Sequence, residues 1–169
     1  TVSKNETVSV TLTPSTAWDG KETEKPTGSG TQAAPYQIEN GAQLAWLADK
    51  GNNSTSVTKL YAELTDDIDL GGELFTPIGK DFHEFSGVFD GKGYTVSGLK
   101  VTDVADAGLF GTAKDATIRN VVVRGNVTGT DNAAGILAKA KTTACSIENC
   151  GNEAAVTGVN NAAGILARK

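Results

Sequence analysis

The chain has no methionine, one histidine, two cysteines and four prolines in 169 residues. Each scarcity removes a class of explanation. With His83 as the only histidine, a Cys/His zinc site lacks ligands, and the His-Glu-x-x-His motif of a metallopeptidase is absent. Two cysteines, Cys145 and Cys150, are too few for a disulfide framework. A strand between them would hold them ~17 Å apart, too far to bond, whereas a turn would bring them together. A disulfide and two small buried thiols both stay open. No apolar run approaches the ~20 residues that span a bilayer as a helix, which argues against membrane insertion. No signal peptide is present, and with no methionine the chain reads as a mature or excised piece of a longer protein. Lys and Arg form no cluster and the net charge is −5, which argues against nucleic acid and acidic membrane partners. The hydrophobic share of 38% is below the usual globular range.

Glycine is abundant, at twenty residues, and marks many turns. The strongest signal is a repeat. Residues 127–139 read V-T-G-T-D-N-A-A-G-I-L-A-K and residues 156–168 read V-T-G-V-N-N-A-A-G-I-L-A-R. Ten of the thirteen positions are identical at an offset of 29. The register extends upstream, with Ile118 on Ile147 and Asn120 on Asn149. One fixed offset predicts stacked supersecondary units. The segment Ile118–Arg124 is rich in β-branched residues and reads as strand. The A-A-G-I-L-A core is short and apolar, and a fully buried strand fits it better than a helix. Strand, turn, strand, turn at this period predicts one coil of a β-solenoid, with coils ~4.8 Å apart. Its core would be a thin column of small side chains, which accommodates the low hydrophobic share.

Residues 1–13 alternate, with Val8, Val10 and Leu12 on one side, and predict a half-buried or edge strand ended by Pro14. Residues 1–17 thus form a strand added to the solenoid or the end of a preceding domain, and 18–169 the solenoid itself. Residues 19–35 read as an exposed loop. Gly28-Ser29-Gly30-Thr31 lacks the lysine and spacing of a phosphate-binding loop. Residues 41–50 predict a helix, with Asn40 as N-cap, Leu44, Leu47 and Ala48 on one apolar face, Trp46 at its margin and Gly51 ending it. That helix would cap an open end of the solenoid, where bare strand edges invite aggregation. Residues 57–70 read as strand, with Asp67 and Asp69 side by side facing solvent. Together with Asp66 they are candidate oxygen ligands for Ca²⁺, although the spacing is not that of an EF-hand; a solvated acidic pair accounts for them too. Phe85, Phe89 and Tyr94 predict a bulky core segment under the helix, and Asp90-Gly91 a tight turn. Gly108-Leu109-Phe110-Gly111 takes the place of the later G-I-L-A, 27 residues earlier.

A further pattern rests on order. Trp18-Asp19-Gly20, Gly28-x-Gly30-Thr31, Pro35-Tyr36-x-Ile38, Gln43-Leu44-Ala45-Trp46-Leu47-Ala48, Asp67-Ile68-Asp69-Leu70, Pro77-Ile78-Gly79, Phe85-x-Gly87-x-Phe89-Asp90-Gly91 and Gly108-Leu109-Phe110-Gly111 follow one another along the chain. In this order they resemble bacterial surface proteins carrying the GLUG motif, over roughly residues 18–169. The later repeats depart from the pattern, with Ala138 and Ala167 where glycine is usual. The resemblance implies an all-β, right-handed parallel β-helix and a large, secreted, surface-anchored parent protein of the kind found in gut Bacteroidetes and Firmicutes. Related repeats accompany IgA-specific zinc metallopeptidases. The resemblance carries over no catalytic residues.

Three functions follow as expectations. The first is a non-enzymatic, extracellular adhesion or binding module of a bacterial cell-surface protein, with a host glycan or matrix protein as partner and further domains of the parent chain as neighbours. The second is a passive structural spacer. The third is an accessory or catalytic domain of a carbohydrate-active enzyme, for which fold alone is no argument. Nothing in the chain amounts to a catalytic signature. Sugar sites use exposed aromatics, so Trp18, Tyr36 and Trp46 are the candidate ligand-binding residues, unless all three pack the cap. No cofactor is expected beyond Ca²⁺ at Asp66, Asp67 and Asp69.

Overall fold

The computed structural model describes residues 17–54 and 59–169. The strand expected over residues 1–13 lies outside them. Among the described residues, β1 (Tyr36–Ile38) leads into α1 (Gly41–Asn53), and twelve strands follow. These are β2 (Leu60–Leu64), β3 (Ile68–Asp69), β4 (Phe85–Asp90), β5 (Thr95–Ala107), β6 (Phe110–Arg119), β7 (Val122–Ala134), β8 (Leu137–Ala140), β9 (Ser146–Glu148), β10 (Gly151–Asn152), β11 (Ala155–Gly158), β12 (Asn161–Ala163) and β13 (Leu166–Arg168). They form two sheets. One runs β1-β2-β4-β6-β8-β13, with β9 also on β6; the other runs β3-β5-β7, with β10, β11 and β12 all on β7. Every strand pairing is parallel. The described residues form a parallel β-solenoid of about five turns with a single helix near its N-terminal end.

Parallel pairing aligns like with like in the core. Tyr36, Ala62, Phe89, Ile118 and Ile147 are successive partners in the first sheet. Ala62 is small, and it separates the two large rings of Tyr36 and Phe89. In the second sheet Ile68, Val96 and Val123 stack, as do Val101, Val127 and Val156. Ile78, Phe110, Leu137 and Leu166 form a further row. The bulk concentrates in the middle coils, where Phe110 packs on Phe85 and Phe89 at centroid distances of 5.0 and 5.2 Å. Tyr94, grouped with them on sequence, is only partly buried at the rim of this cluster.

Polar side chains stack by the same rule. Asn149 donates to Asn120, and Asn120 donates to Asp90, each at 2.9 Å. Asn161 donates to Asn132 at 2.7 Å, and Asn132 to Asp106 at 2.6 Å. Each ladder begins in a carboxylate, the one partner that only accepts. Asn120 and Asn149 have φ of 56° and 49°. That left-handed region is sterically costly for most side chains, and Asn enters it more readily than most. Burial pushes the Asp90 carboxyl up, but bonds from Asn120, the Lys92 backbone and Arg119 outweigh it and hold it below the usual carboxylate range.

The helix forms as its residues dictate. The Asn40 side chain accepts from the Gln43 backbone at 2.9 Å and satisfies one free amide of the first turn. Leu44, Leu47 and Ala48 are buried in the core cluster and close its N-terminal end. Burying each leucine contributes roughly 2 kcal/mol. Gly51 does not end the helix, which continues to Asn53 with Ser54 as C-cap. The reason is Asn52, whose buried amide donates to Pro77 O at 2.9 Å and accepts from Gly79 N–H at 3.0 Å. Tertiary bonds thus hold the last turn in helix past a glycine.

Two strand assignments also differ from expectation. The A-A-G-I-L-A core is not one strand. Gly135 and Gly164 sit between β7 and β8 and between β12 and β13, where the chain passes from one sheet to the other. Residues 57–70 likewise break into β2 and β3 around Thr65–Asp67, so the strand parity argued for Asp67 and Asp69 does not hold. Asp90-Gly91 turns the chain between parallel strands of different sheets and makes no hairpin. Cys145 and Cys150 are free and half-buried, and burial raises the Cys150 thiol above its ordinary value.

Candidate ligand-binding site

A lateral cleft of about 330 Å³ opens where the helix end meets the first two coils. That volume is at the small end of the range for small-molecule sites. Its floor is aromatic. Tyr36, 5% exposed, projects from β1 and packs edge-on against Trp46 of α1, with centroids 5.1 Å apart. The loop over residues 28–34 comes down onto this ring. Gly30 permits the approach, because a Cβ there would run into the Tyr36 ring, and its φ of 72° suits glycine. The Ser29 and Gly30 amides both donate to Ala34 O, at 2.9 and 3.0 Å. They are therefore spent on the loop itself and form no phosphate cradle. The Ser29 and Thr31 hydroxyls lie 3.0 Å apart at the rim.

The opposite wall is a tight hairpin. Lys80 and His83 exchange two backbone bonds, of 3.1 and 2.9 Å, around Asp81 and Phe82. Phe82 holds a φ of 70° and is 91% exposed. A bulky residue in that region is an outlier, since the turn position is one where glycine is normally required. The hairpin is anchored at several points. His83 Nδ1 lies 2.8 Å from Ser54 O. A carbonyl only accepts, so Nδ1 carries the proton and Nε2 is the ring's other polar atom. Asp81 pairs with Lys141 at 2.8 Å and Lys139 at 3.3 Å. The hydrogen bond from Lys141 holds the Asp81 carboxyl below the usual range, against a smaller opposing effect of burial. Glu84 accepts from the Phe82 amide at 3.3 Å and faces Lys141 at 3.8 Å.

The charge of the cleft follows from these pairings. Its lining includes Lys50, Lys59 and Glu84. Glu84 is matched by Lys141. Lys50 lies 5.4 Å over the Trp46 ring, and neither Lys50 nor Lys59 has a carboxylate partner among the described residues. The cleft is therefore locally cationic on a chain of net charge −5.

The residues singled out on sequence are divided among different places. Tyr36 lines the cleft and Trp46 supports it from behind. Trp18 lies in a separate hollow of about 230 Å³, where its ring meets Phe75 at 6.1 Å and its Nε1–H donates to Glu22 O at 2.7 Å. Asp66, Asp67 and Asp69 each give an oxygen to a backbone amide, of Asp67, Thr95 and Gly71 respectively. They cap corners of the coil. Among the described residues no group of three His, Cys, Asp or Glu side chains converges as a metal cage. Sequence reading missed Phe82, Lys50 and Lys59, and used His83 only to exclude zinc. The available signal was one aromatic inside the charged run Lys80-Asp81-Phe82-His83-Glu84, where no core periodicity calls for it.

Fold and site together define a parallel β-solenoid with a lateral cleft beside its N-terminal helix. No family model matches the chain. It is 33% identical over 153 residues to halomucin of Haloquadratum walsbyi, which covers 66% of this chain. It is 33% identical over 108 residues to a candidate Gly-rich membrane protein of Evansella cellulosilytica, over 59% of this chain. The chain spans only 2% and 12% of those two proteins. Among solved structures, a candidate immunoglobulin A1 protease from Bacteroides ovatus superposes with a TM-score of 0.57 at 23% identity. That match covers 87% of this chain and 56% of the other, and it shows a shared fold. No helix among the described residues is long and apolar enough to cross a membrane.

Proposed function

We propose that this chain is a non-enzymatic binding module of a bacterial cell-surface protein, and that it holds its ligand in the cleft beside the helix. The observation that carries the reading is Phe82. An exposed ring is kept in a conformation that costs free energy, at the mouth of a cleft, by a hairpin anchored to Ser54, Lys139 and Lys141. Strain of this kind persists where the surroundings over-determine it, and it clusters at ligand clamps. The solenoid supplies a rigid body on which such a clamp keeps its geometry. The relatives support a surface setting: one is named as a membrane protein, and in both the matched region is a small part of a much longer chain.

The test is a binding screen of the purified chain on glycan and host-matrix arrays, with and without Ca²⁺. A saturable hit that is lost in a Phe82→Ala variant supports the reading. A hit that Phe82→Ala leaves intact places binding elsewhere. No hit at all favours a passive spacer. Dependence on Ca²⁺ would bring Asp66, Asp67 and Asp69 back as ligands.

A further inference from the structure

We infer that the ligand of this cleft is an acidic saccharide, a sugar ring bearing a carboxylate; this rests on the binding-module reading above. Three features of the lining determine the chemistry. The first is the exposed Phe82 ring, an apolar face on which the C–H face of a sugar ring can stack. A sugar has such a face and also needs polar partners around its edge. The second is that edge. The Ser29 and Thr31 hydroxyls line the same cleft with the His83 ring, and although they bond each other and the Ala34 backbone, each oxygen keeps capacity for a further partner. A hydroxyl both donates and accepts, so it can match the alternating demands of sugar hydroxyls. The third is charge. Lys50 and Lys59 stand at the cleft without carboxylate partners among the described residues, whereas Asp81 and Glu84 of the hairpin are already matched by Lys139 and Lys141.

A neutral sugar would leave both ammonium groups without a counter-charge. A bare inorganic anion would leave the aromatic face and the hydroxyls unused. A carboxylate-bearing ring uses all three features at once. Lys50 has a second role, since a cation in the last helical turn complements the helix dipole. Lys59 is outside any helix, so it is the cleaner probe of charge recognition.

The experiment is calorimetric titration of the intact chain with four probes: trigalacturonate, its methyl ester, sialyllactose and lactose. At least one acid should bind roughly tenfold tighter than its neutral counterpart, as expected of one charge-assisted hydrogen bond. That preference should weaken with added salt. Which acid binds distinguishes a uronic from a sialic source. Lys59→Ala should cut the preference severalfold, leaving the part that Lys50 supplies. Phe82→Ala should weaken acid and neutral binding by the same factor. Inorganic phosphate at equal concentration should not displace the acid. Equal affinity for acid and neutral forms, displacement by phosphate, or a preference unchanged in Lys59→Ala would each overturn the inference. If none of the four probes binds, the acidic-saccharide assignment falls. The binding-module reading stands or falls separately, on whether the arrays yield a Phe82-dependent hit.

Discussion

Replacing Phe82 by glycine should make the protein more stable and less able to bind. The two effects have opposite signs, which separates a functional residue from a structural one. At φ 70° an L-side chain costs about 1–2 kcal/mol relative to glycine. The ring is 91% exposed, so removing it forfeits almost no burial. Against this, glycine frees the unfolded chain, at a cost of about 0.5–1 kcal/mol. The midpoints of the two ranges leave a net gain of about 0.75 kcal/mol. For a chain of this size each kcal/mol moves the melting temperature by about 2–4 °C. Phe82→Gly should therefore melt about 1–4 °C higher than the parent in differential scanning calorimetry. Phe82→Ala keeps a Cβ at the strained position and should show no such rise. Both variants should lose affinity alike. A fall in melting temperature for Phe82→Gly, or equal melting of the two variants, would refute the claim that the turn is strained and that the ring is kept for its ligand.

Two other outcomes follow from the coil. Gly125 lies within β7 at a φ of 146°, where a Cβ would run into the Leu99 carbonyl of the preceding coil, so Gly125→Ala should cost about 3 kcal/mol, read as a lower urea midpoint with an unchanged slope. Because the Asp90 carboxyl is held below its unfolded value of ~3.9, its contribution is fully present above that pH and is lost as pH falls through the lower folded value. Stability should therefore drop in acid titrations from about pH 4 downward. Asp90→Asn should be less stable at neutral pH and show a shallower acid loss. An unchanged acid profile would show that the carboxylate does not anchor the Arg119 and Asn120 contacts.

The solenoid was legible because the physics that builds it repeats in the chain. Parallel stacking places Ile118 on Ile147 and Val127 on Val156, and the same offset is visible as identity between residues 127–139 and 156–168. The N-cap and apolar face of the helix were legible for a similar reason, since both are local. The end of the helix was not, because Asn52 is held by Pro77 and Gly79, contacts that no local pattern encodes. Apolar content marked A-A-G-I-L-A as buried, but a corner and a strand bury the same residues, and only the change of sheet tells them apart. The cleft was least legible. Tyr36 could be named as an aromatic, but Gly30, Lys50, Lys59 and Phe82 come from four separate segments. They meet because the helix and two coils converge there, and no spacing in the sequence marks their proximity.

The two asparagine ladders bear on how such a chain can change in length. Arg124 meets Glu153, Asn120 meets Asn149 and Asn132 meets Asn161, each across 29 residues. Duplicating one 29-residue unit of the last coils would give each of these side chains an equivalent neighbour and return the inward ones to the core. Adding a single residue within a strand would shift its register and turn the residues after it to the other face unless a bulge absorbs it, as between Phe85 and Gly87. Length in this architecture is therefore quantised. The body lengthens in steps of one coil while the helix and its cleft stay unaltered at one end, so reach and recognition can vary independently.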